Sequence, residues 1–479
     1  MSSRSLLSVS LVVGLCAIGI FLVSGVNAAP KTPAPASLKN AYRFEKGGWV
    51  YVHLEGAPHD IGFQHGYLLA PEIDKAFQAV RHHDTHASKR EWTFFRDTAQ
   101  NILWPHIDDE YRQELQGIAD GLKAKNVNID VWDIVALNAY EEVPDYYIPW
   151  LEKQQKAELT PGLVAPGNCS AFVATGSYTK DGKPVIAHNT WTSVINGAHW
   201  RIVFDIVPKT GHHFFMDGFP GLIASDDDFG VNDAGLAITE TTITQFEGFD
   251  PNGKPEFMRA RKAMQYATSI DEYVKIMLDG NNGGYANDWL LADYNTGEVA
   301  RFENGLKHHK VWRSKDGYFV GSNFPSDPEL IKDETTFDVN NQASSPNARK
   351  ARWEQLMEQN KGKIDNILAR QFLADHFDSF QNKEEANERT LCGHVETSPR
   401  GIPEWGWDKF HPGGAVQGKA MDAPMQKNMS FVARYGHSCG ADFVAADFLK
   451  AHPEYEWQKP HLQDMKAGPW TEFKAGERK

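Results

Sequence analysis

The sequence lacks the motifs that most often indicate hydrolytic or metal chemistry. It has no Gly-x-Ser-x-Gly elbow for a nucleophilic serine. It has no His-Glu-x-x-His or Cys-x-x-Cys pattern either, so we interpret His82, His83 and His86 as surface histidines and expect no metal and no cofactor. The acidic run 226–228 lacks the ligand spacing of an EF-hand and is interpreted as a turn. These absences argue against a serine-elbow hydrolase, a metalloenzyme and a calcium loop.

Positive charge is also scarce. The chain has 63 acidic against 49 basic side chains, a formal net charge of −14. A broad face for binding polyphosphate is therefore not expected, which excludes nucleic acid as the main partner. The length of 479 residues allows two or three structural units, and 41% hydrophobic with 23% charged residues is the composition of a globular protein.

Long apolar runs occur only at the start of the chain. Residues 1–29 have a basic residue, Arg4, then an apolar run to Val23 and small residues at 26–28, as in a cleaved signal peptide. This predicts a secreted or periplasmic protein with a soluble body. The apolar run approaches membrane-spanning length, so an uncleaved anchor is the alternative.

Cysteine is rare, with 4 residues in the chain, one of them (Cys16) inside the predicted signal peptide. Of the other three, Cys392 and Cys439 lie late in the chain and form the natural pair if a disulfide exists, which leaves Cys169 over. An inert buried thiol is the simplest alternative for Cys169.

The chain changes character at Cys169. Before it, apolar residues at helical spacing predict a mainly helical segment over 30–168, which ends in a linker rich in Pro, Gly and charge over 153–167. After it, residues 169–479 alternate groups of short strands with groups of helices and end in a part rich in Gly, Pro and Trp. Strands grouped in this way indicate an α+β layered fold rather than repeated βαβ units. An Asp-Gly turn near residue 181 predicts a hairpin after Cys169.

The position of Cys169 after an exposed linker suggests an N-terminal nucleophile. If the Asn168–Cys169 peptide bond is cut, the new α-amine has a reference pKa of roughly 7.7–8.0 and can act as base for its own thiol. Asn189 and Asn287 are candidate oxyanion donors because amides donate without titrating. His188 could orient the amine or the substrate, whereas the alternative for His188-Asn189 is a strand-end turn.

These segments resemble the phospholipase B-like proteins, which belong to the N-terminal nucleophile hydrolases together with the penicillin acyltransferase-like (peptidase C45) group. The motifs occur in the family's order: NCSA at 168–171, AHNTW at 187–191, FPG at 219–221, DDF at 227–229, GLAITETTI at 235–243 and NDW at 287–289. GIADG at 117–121 similarly resembles the helical N-terminal part of the C45 group. The resemblance implies a four-layer αββα sandwich and autocatalytic cleavage before Cys169.

The resemblance also implies a set of site residues. Cys169 would be the nucleophile, with His188 and Trp191 in the pocket and Asn287 as oxyanion donor. Thr241 or its neighbour Thr242 would line the pocket, and Arg349, or alternatively Arg352, would complete it. The expected substrate is a small acyl compound: an amide, an N-acyl amino acid or a phospholipid, the last requiring contact with a lipid surface. The alternative is an inactive exported protein that binds glycans or lipids, with a structural cysteine.

Overall fold

Two β-sheets face each other in the computed structural model, which describes residues 38–156, 160, 163, 165, 169–226 and 229–479. The first sheet has nine strands in the order β1-β2-β5-β6-β7-β8-β9-β10-β11, and the second has six in the order β12-β3-β4-β15-β16-β17. The strands of the first sheet are β1 (Tyr42–Lys46), β2 (Trp49–Gly56), β5 (Ile202–Pro208), β6 (Phe214–Gly218), β7 (Gly230–Asn232), β8 (Leu236–Thr242), β9 (Asn287–Asp293), β10 (Glu298–Asn304) and β11 (His309–Ser314). Those of the second are β3 (Ser170–Thr175), β4 (Val185–Ser193), β12 (Gly317–Gly321), β15 (Gly413–Asp422), β16 (Ser430–Tyr435) and β17 (Thr471–Lys474), while β13 (Phe377–Asp378) and β14 (Lys383–Glu384) form a separate pair.

The described residues also form fourteen α-helices, most of which pack on the outer faces of the two sheets. They are α1 (Pro58–Leu68), α2 (Ala70–Ser88), α3 (Trp92–Thr98), α4 (Asp109–Ala124), α5 (Val131–Asn138), α6 (Ile148–Gln155), α7 (Val194–Gly197), α8 (Glu256–Tyr266), α9 (Ile270–Leu278), α10 (Pro328–Glu334), α11 (Ser345–Gln359), α12 (Asn366–Leu373), α13 (Ala423–Lys427) and α14 (Ala445–Ala451). Among the described residues, no helix is both long and apolar enough to cross a membrane.

Three buried cores separate the layers. Between the sheets, Val173 and Ile186 of the second sheet belong to one core with Phe215 and Leu290 of the first. On the outer face of the first sheet, strands β2, β5 and β8 to β10 share a core with helices α1 to α5, α8 and α9. On the outer face of the second sheet, strands β3 and β4 share a core with α11 and α12. Strands bury alternate residues on opposite faces, so the two sheets lie inside two helical layers. The α+β class and the αββα sandwich are thereby confirmed.

The segment before the linker belongs to this sandwich. Strand β2 pairs in parallel with β5, with Val50 opposite Ile202, so residues on both sides of Cys169 build one sheet. Helix α1 crosses α4 at very short range, because a Cβ atom on Gly62 would lie 1.9 Å from the carbonyl oxygen of Glu114. The glycines of the GIADG motif, Gly117 and Gly121, meet α1 in the same way. The motif therefore serves close helix packing.

Several local predictions need correction. The apolar sequence pattern over 221–225 predicts a strand, but the structure has bends and turns there. The strand expected to end at His188 continues to Ser193, so His188, Asn189 and Trp191 lie inside β4 and not in a strand-end turn. The hairpin after Cys169 is confirmed, because β3 and β4 pair antiparallel with Ser170 opposite Asn189.

Candidate functional site

Cys169 lies directly before β3, at the point where the linker enters the second sheet. Its side chain is buried and its φ is +93°, a left-handed conformation that non-glycine residues seldom adopt. Such backbone strain persists where the surroundings hold it, often at functional sites. The residues that precede it, Gly167 and Asn168, lie outside the described part of the chain.

Three side chains that can exchange protons meet at Cys169. Its sulfur, a ring nitrogen of His188 and a carboxylate oxygen of Glu240 all lie within 4.8 Å of one another, and all three residues are buried. His188 comes from β4 of the second sheet, whereas Glu240 comes from β8 of the first. The cluster therefore forms where the two sheets meet. Glu240 was missing from the sequence-based set, although the GLAITETTI motif contains it.

Arg349 holds the main chain of Cys169. It lies on α11, and its Nη1 donates to the carbonyl oxygen of Cys169 at 2.7 Å while its Nη2 donates to Asn323 Oδ1 at 2.8 Å. The guanidinium also lies over the ring of Trp191, 4.3 Å from the ring centroid. Burial lowers the pKa of Arg349 to about 9, a shift that the nearby Cys169 opposes. With His188 included, the structure thus brings together four of the predicted residues: Cys169, His188, Trp191 and Arg349.

The other candidate arginine lies elsewhere. Arg352 makes a two-pronged ion pair with Asp375, with bonds of 2.9 and 2.6 Å. Its guanidinium also lies over the ring of Phe377. Among the contacts of the described residues, none joins Arg352 to the cluster around Cys169.

Two residues form hydrogen bonds with the carboxylate of Glu240: Asn287, the first residue of β9, and Tyr285, two residues before it. Tyr285 donates its hydroxyl hydrogen to Glu240 Oε1 at 3.2 Å. Burial, together with the charge of Glu240, raises the pKa of Tyr285 well above its usual value, so the hydroxyl stays protonated. With its amide nitrogen turned toward Glu240, Asn287 donates to Oε2 at 2.9 Å and to the carbonyl of Ala286 at 3.2 Å. Asn287 therefore lies beside the cluster, but as an oxyanion donor it would have to exchange one of these bonds for the substrate.

The two candidate threonines both end strand β8 with buried hydroxyl groups. Neither hydroxyl has a hydrogen-bond partner among the residues that the structure describes. Thr241 faces the second sheet, since a Cβ atom on Gly321 would lie 2.5 Å from its Oγ1, and Gly321 pairs with Ala171. Thr242 instead receives a hydrogen bond from Asn323 Nδ2 at its main-chain oxygen. Thr241 is thus the threonine nearer to the start of β3.

Asn189 does not join the cluster. Its side chain donates to the carbonyl oxygens of Leu373 and Leu391, at 2.8 and 2.9 Å, and accepts a hydrogen bond from Ser438 Oγ. Neighbouring residues of a strand point to opposite faces, so Asn189 points away from the face that carries His188. The expectation that Asn189 is an oxyanion donor does not fit this arrangement, because both amide hydrogens are already bonded.

A buried ion pair lies behind His188. Lys419 on β15 is opposite His188, and its Nζ donates to Asp217 Oδ2 at 2.9 Å and to Thr190 Oγ1 at 2.7 Å. The hydroxyl of Thr190 is in turn 3.5 Å from Nδ1 of His188. Lys419 and Asp217 are both fully buried. This polar chain between the sheets was not predicted, and no motif that we used contains Lys419.

A cavity of about 290 Å³ is lined by Trp405, whereas Cys169, His188 and Glu240 are not among its lining residues. Its wall is formed mainly by aromatic and acidic side chains, including Asp84, Tyr140, Glu141, Asp145, Trp405, Trp407, Asp408, Tyr455 and Trp457. Trp405 also packs edge-on against Trp191, with ring centroids 5.8 Å apart. Leu163 of the linker lines this cavity and a second one of about 310 Å³, which Ala165 also lines. The linker therefore borders both cavities before it reaches Cys169.

The histidines that the sequence singled out make their contacts away from the cluster. His82 is hydrogen-bonded to the carbonyl of Trp457, and His86 stacks on the ring of Trp457 at 3.8 Å. Asp226 is buried, while Asp227 and Asp228 lie outside the described residues. The three described cysteines are all free thiols, Cys392 and Cys439 included.

Comparison with known proteins gives a consistent family. The family model described as Phospholipase B matches residues 62–312, just over half of the chain. A putative phospholipase B-like 1 from Caenorhabditis elegans is 32% identical over 168 residues, which cover 33% of this chain and 28% of that protein. An uncharacterized protein from Archaeoglobus fulgidus is 23% identical over 266 residues, which cover 51% of this chain and 41% of that protein.

The chain spans less than half the length of these relatives. A solved structure of penicillin V acylase from Agrobacterium tumefaciens is also similar, with 11% identity, a TM-score of 0.34, and coverage of 56% of this chain and 83% of that one. The matched region contains Cys169, His188, Glu240 and Asn287. On the extent of the family match, this chain belongs to the phospholipase B family.

Proposed function

We propose that the protein is an exported N-terminal cysteine hydrolase that cuts its own chain between Asn168 and Cys169 and then hydrolyses acyl bonds through a thioester. The observation that carries this proposal is the buried group of Cys169, His188 and Glu240, within 4.8 Å of one another at the start of a central strand. Family membership supports a hydrolytic role. The predicted signal peptide, residues 1–29, lies outside the described residues and supports export only through its sequence.

The first step is self-cleavage. The Cys169 sulfur attacks the carbonyl carbon of Asn168, the carbon–nitrogen bond breaks, and the acyl group moves to sulfur while the α-amine of Cys169 is freed. Water then hydrolyses the thioester and releases a new carboxylate at Asn168 and a free thiol. Arg349 supports this step by holding the carbonyl of Cys169, which fixes the main chain on the far side of the bond to be cut.

Turnover then uses the same sulfur. The α-amine of Cys169 takes the thiol proton, and the sulfur attacks the substrate carbonyl to give a thioester and a departing amine or alcohol that receives the proton. Water completes the cycle and releases the acid. Glu240, whose carboxylate lies within 4.8 Å of the Cys169 sulfur, would stabilise the protonated amine by its charge, and Tyr285 and Asn287 fix this carboxylate.

The neighbouring cavity favours amides over phospholipids as substrates. Its wall carries the carboxyl groups of Asp84, Glu141, Asp145 and Asp408 against one lysine, Lys89, so it offers a phosphate group little positive charge, and burial raises the pKa of Asp84 and Asp145. Its aromatic side chains, Trp405 and Trp407 among them, suit an apolar acyl or aryl group. We therefore expect neutral or cationic amides and N-acyl amines to react faster than anionic phospholipids.

Acid-quenched mass spectrometry during turnover tests the hydrolase. The purified wild-type protein is mixed with aryl amides, N-acyl amino acids and phospholipid vesicles, and the fragment that begins at Cys169 should gain the mass of one acyl group. A Cys169→Ala variant should gain none and release no product. Product formation that survives Cys169→Ala would refute a cysteine mechanism. A wild-type protein that binds these ligands without any turnover would favour the alternative, a binding protein with a structural cysteine.

A further inference from the structure

A second group of thiols and imidazoles lies on the opposite face of strand β4 from His188, outside the proposed catalytic cluster. Four side chains each place one sulfur or ring nitrogen within 4.8 Å of the others: His376, Cys392, His394 and Cys439. Cys392 and His394 are buried, and the other two are partly buried. The chain brings them from three separate places: the residues after α12, a loop before β15 and the turn after β16.

The distances match those of a tetrahedral zinc site. With Zn–S near 2.3 Å and Zn–N near 2.0–2.1 Å, two ligand atoms at a tetrahedral angle lie about 3.6 Å apart. Nε2 of His394 lies 3.7 Å from the sulfur of Cys392 and 3.5 Å from the sulfur of Cys439. Nε2 of His394 and the two sulfurs therefore already lie at the distances that separate neighbouring ligands of one zinc ion.

The second ring nitrogen of His394 is also bonded as a zinc-bound histidine would require. Nδ1 of His394 is hydrogen-bonded to Glu396 Oε1 at 2.8 Å. Metal-bound histidines usually donate their other N–H to a carboxylate or carbonyl, which fixes the ring and its tautomer. Nε2 of His394 is thereby left to face the two sulfurs.

A disulfide between Cys392 and Cys439 would not explain why two histidine rings also face these sulfurs, whereas a bound metal ion would. Nε2 of His376 is buried and has no hydrogen-bond partner among the described residues. A disulfide would leave the ring nitrogens of His376 and His394 facing sulfurs that donate nothing, and a buried unpaired polar group costs free energy. A metal ion bonds to all four atoms at once.

We propose that one structural Zn²⁺ ion binds to the protein here through four ligands: His376, Cys392, His394 and Cys439. Two thiolates and two imidazoles form a closed four-ligand shell, the set that structural zinc sites use. Both thiols lose their protons to solvent as the ion binds. These ligands occur in the sequence as Cys-x-His, an isolated histidine and an isolated cysteine rather than as Cys-x-x-Cys, so no metal site was expected there.

The ion would hold the C-terminal part of the chain against β4. Asn189 of β4 already bonds to Leu373, Leu391 and Ser438, which lie one to three residues before three of the proposed ligands. Cys392 also packs in one buried group with Trp191, the residue on which Arg349 stacks. Zinc would therefore support the wall behind Cys169 without touching the substrate. This inference does not depend on the proposed hydrolase function.

Metal analysis of the full-length protein tests the site. Protein produced in zinc-containing medium, without a histidine tag and without chelators, should contain about one zinc per chain, and a Cys392→Ser/Cys439→Ser variant should contain less than about a tenth of that. Cys169→Ala is the matched control, because Cys169, His188 and Glu240 form the other group of side chains that could bind a metal ion. This variant should keep its zinc, since Cys169 is not one of the four proposed ligands. Loss of zinc in this control would overturn the assignment.

A second measurement needs only the wild-type protein, in case the double variant fails to fold. Cobalt(II) exchanged for zinc should show the visible bands of tetrahedral coordination and the near-ultraviolet band of thiolate ligation. Titration with an organomercurial should release the zinc as two thiols react. A zinc-free wild-type protein, or peptide mapping that finds a Cys392–Cys439 disulfide, would refute the proposal.

Discussion

The guanidinium of Arg349 donates a hydrogen bond of 2.7 Å to the main-chain oxygen of Cys169. The two residues are 180 positions apart, and both are buried at 0% exposure. The bond fixes the peptide plane that follows Cys169, in a residue whose φ of +93° is strained. We infer that Arg349 is a positioning residue that fixes the main chain of Cys169 for the proposed self-cleavage.

Replacing Arg349 should therefore slow self-cleavage. We expect Arg349→Lys to reduce the rate about 100-fold, because lysine cannot donate to both Cys169 and Asn323 while stacking on Trp191. The rate is measured as the fraction of cut chain on denaturing gels over time. Arg352→Lys, three residues later on the same helix, is the matched control and should cleave normally. Equal effects of the two variants would contradict a specific role for Arg349.

The hydroxyl of Thr241 should matter for turnover but not for folding. This hydroxyl is buried without a hydrogen-bond partner among the described residues. Thr241→Val should therefore leave the free energy of unfolding unchanged or raise it by up to about 1 kcal/mol. We expect kcat/KM to fall about 10-fold once the hydroxyl that faces the start of β3 is removed. Thr242→Val is the matched comparison and should change neither quantity by as much. A normal kcat/KM in Thr241→Val would remove Thr241 from the site.

The buried pair of Lys419 and Asp217 should be costly to break on one side only. Lys419→Met leaves Asp217 charged and fully buried, so we expect it to destabilise the protein by about 3–5 kcal/mol. Replacing both partners, as Lys419→Met with Asp217→Leu, should recover most of that loss. Urea denaturation followed by tryptophan fluorescence measures both. A single variant as stable as the wild type would show that the pair contributes little.

Stability should fall in mild acid because of His65. Its Nε2 accepts a hydrogen bond from the main-chain N–H of Gly221 in the FPG motif, and burial lowers its pKa from 6.5 to about 3. The unfolded chain therefore binds a proton between pH 6.5 and 3 that the folded chain does not, so this contribution is complete above pH 6.5 and declines below it. The loss should be about 1.4 kcal/mol per pH unit.

A His65→Gln variant separates this contribution from the other titrating groups. Glutamine keeps an acceptor for the N–H of Gly221 but cannot take up a proton, so its stability should depend less steeply on pH between 6.5 and 4. Unfolding by urea at several pH values gives the comparison. Identical slopes in both proteins would assign the acid sensitivity to other residues.

Regular alternation and helical spacing were enough to predict several elements. The sequence pattern predicts a strand over Ser170–Thr175 and a helix over Ile270–Leu278, and β3 and α9 have these bounds. In both, the buried residues follow the period of one element, so local pattern and tertiary burial agree. The layered α+β class followed from the grouping of such elements.

Strand β15 could not be predicted in this way. It pairs with β4 at the centre of the second sheet, yet it contains Gly413, Gly418 and the buried polar residues Gln417 and Lys419. Lys419 is acceptable there only because Asp217, about 200 positions earlier, supplies the opposite charge. Such a long-range partner leaves no local signal in the sequence.

The site shows the same division. Cys169, His188, Trp191 and Arg349 were predicted from motifs, whereas Glu240 was not, because its contact with them depends on how the two sheets face each other. Asn189 differs for the opposite reason. Its motif position beside His188 suggested catalysis, but alternation along β4 turns it to the other face, where it bonds to the end of α12 and to two loop segments.

The mass of the mature protein tests the central claim most directly. Electrospray mass spectrometry under denaturing conditions should find two fragments that meet between Asn168 and Cys169, while the undenatured protein keeps them together through the pairing of β2 with β5. Cys169→Ala should give one uncut chain. A wild-type protein that remains a single chain and still has full, Cys169-dependent hydrolase activity would contradict the self-cleavage on which the mechanism depends.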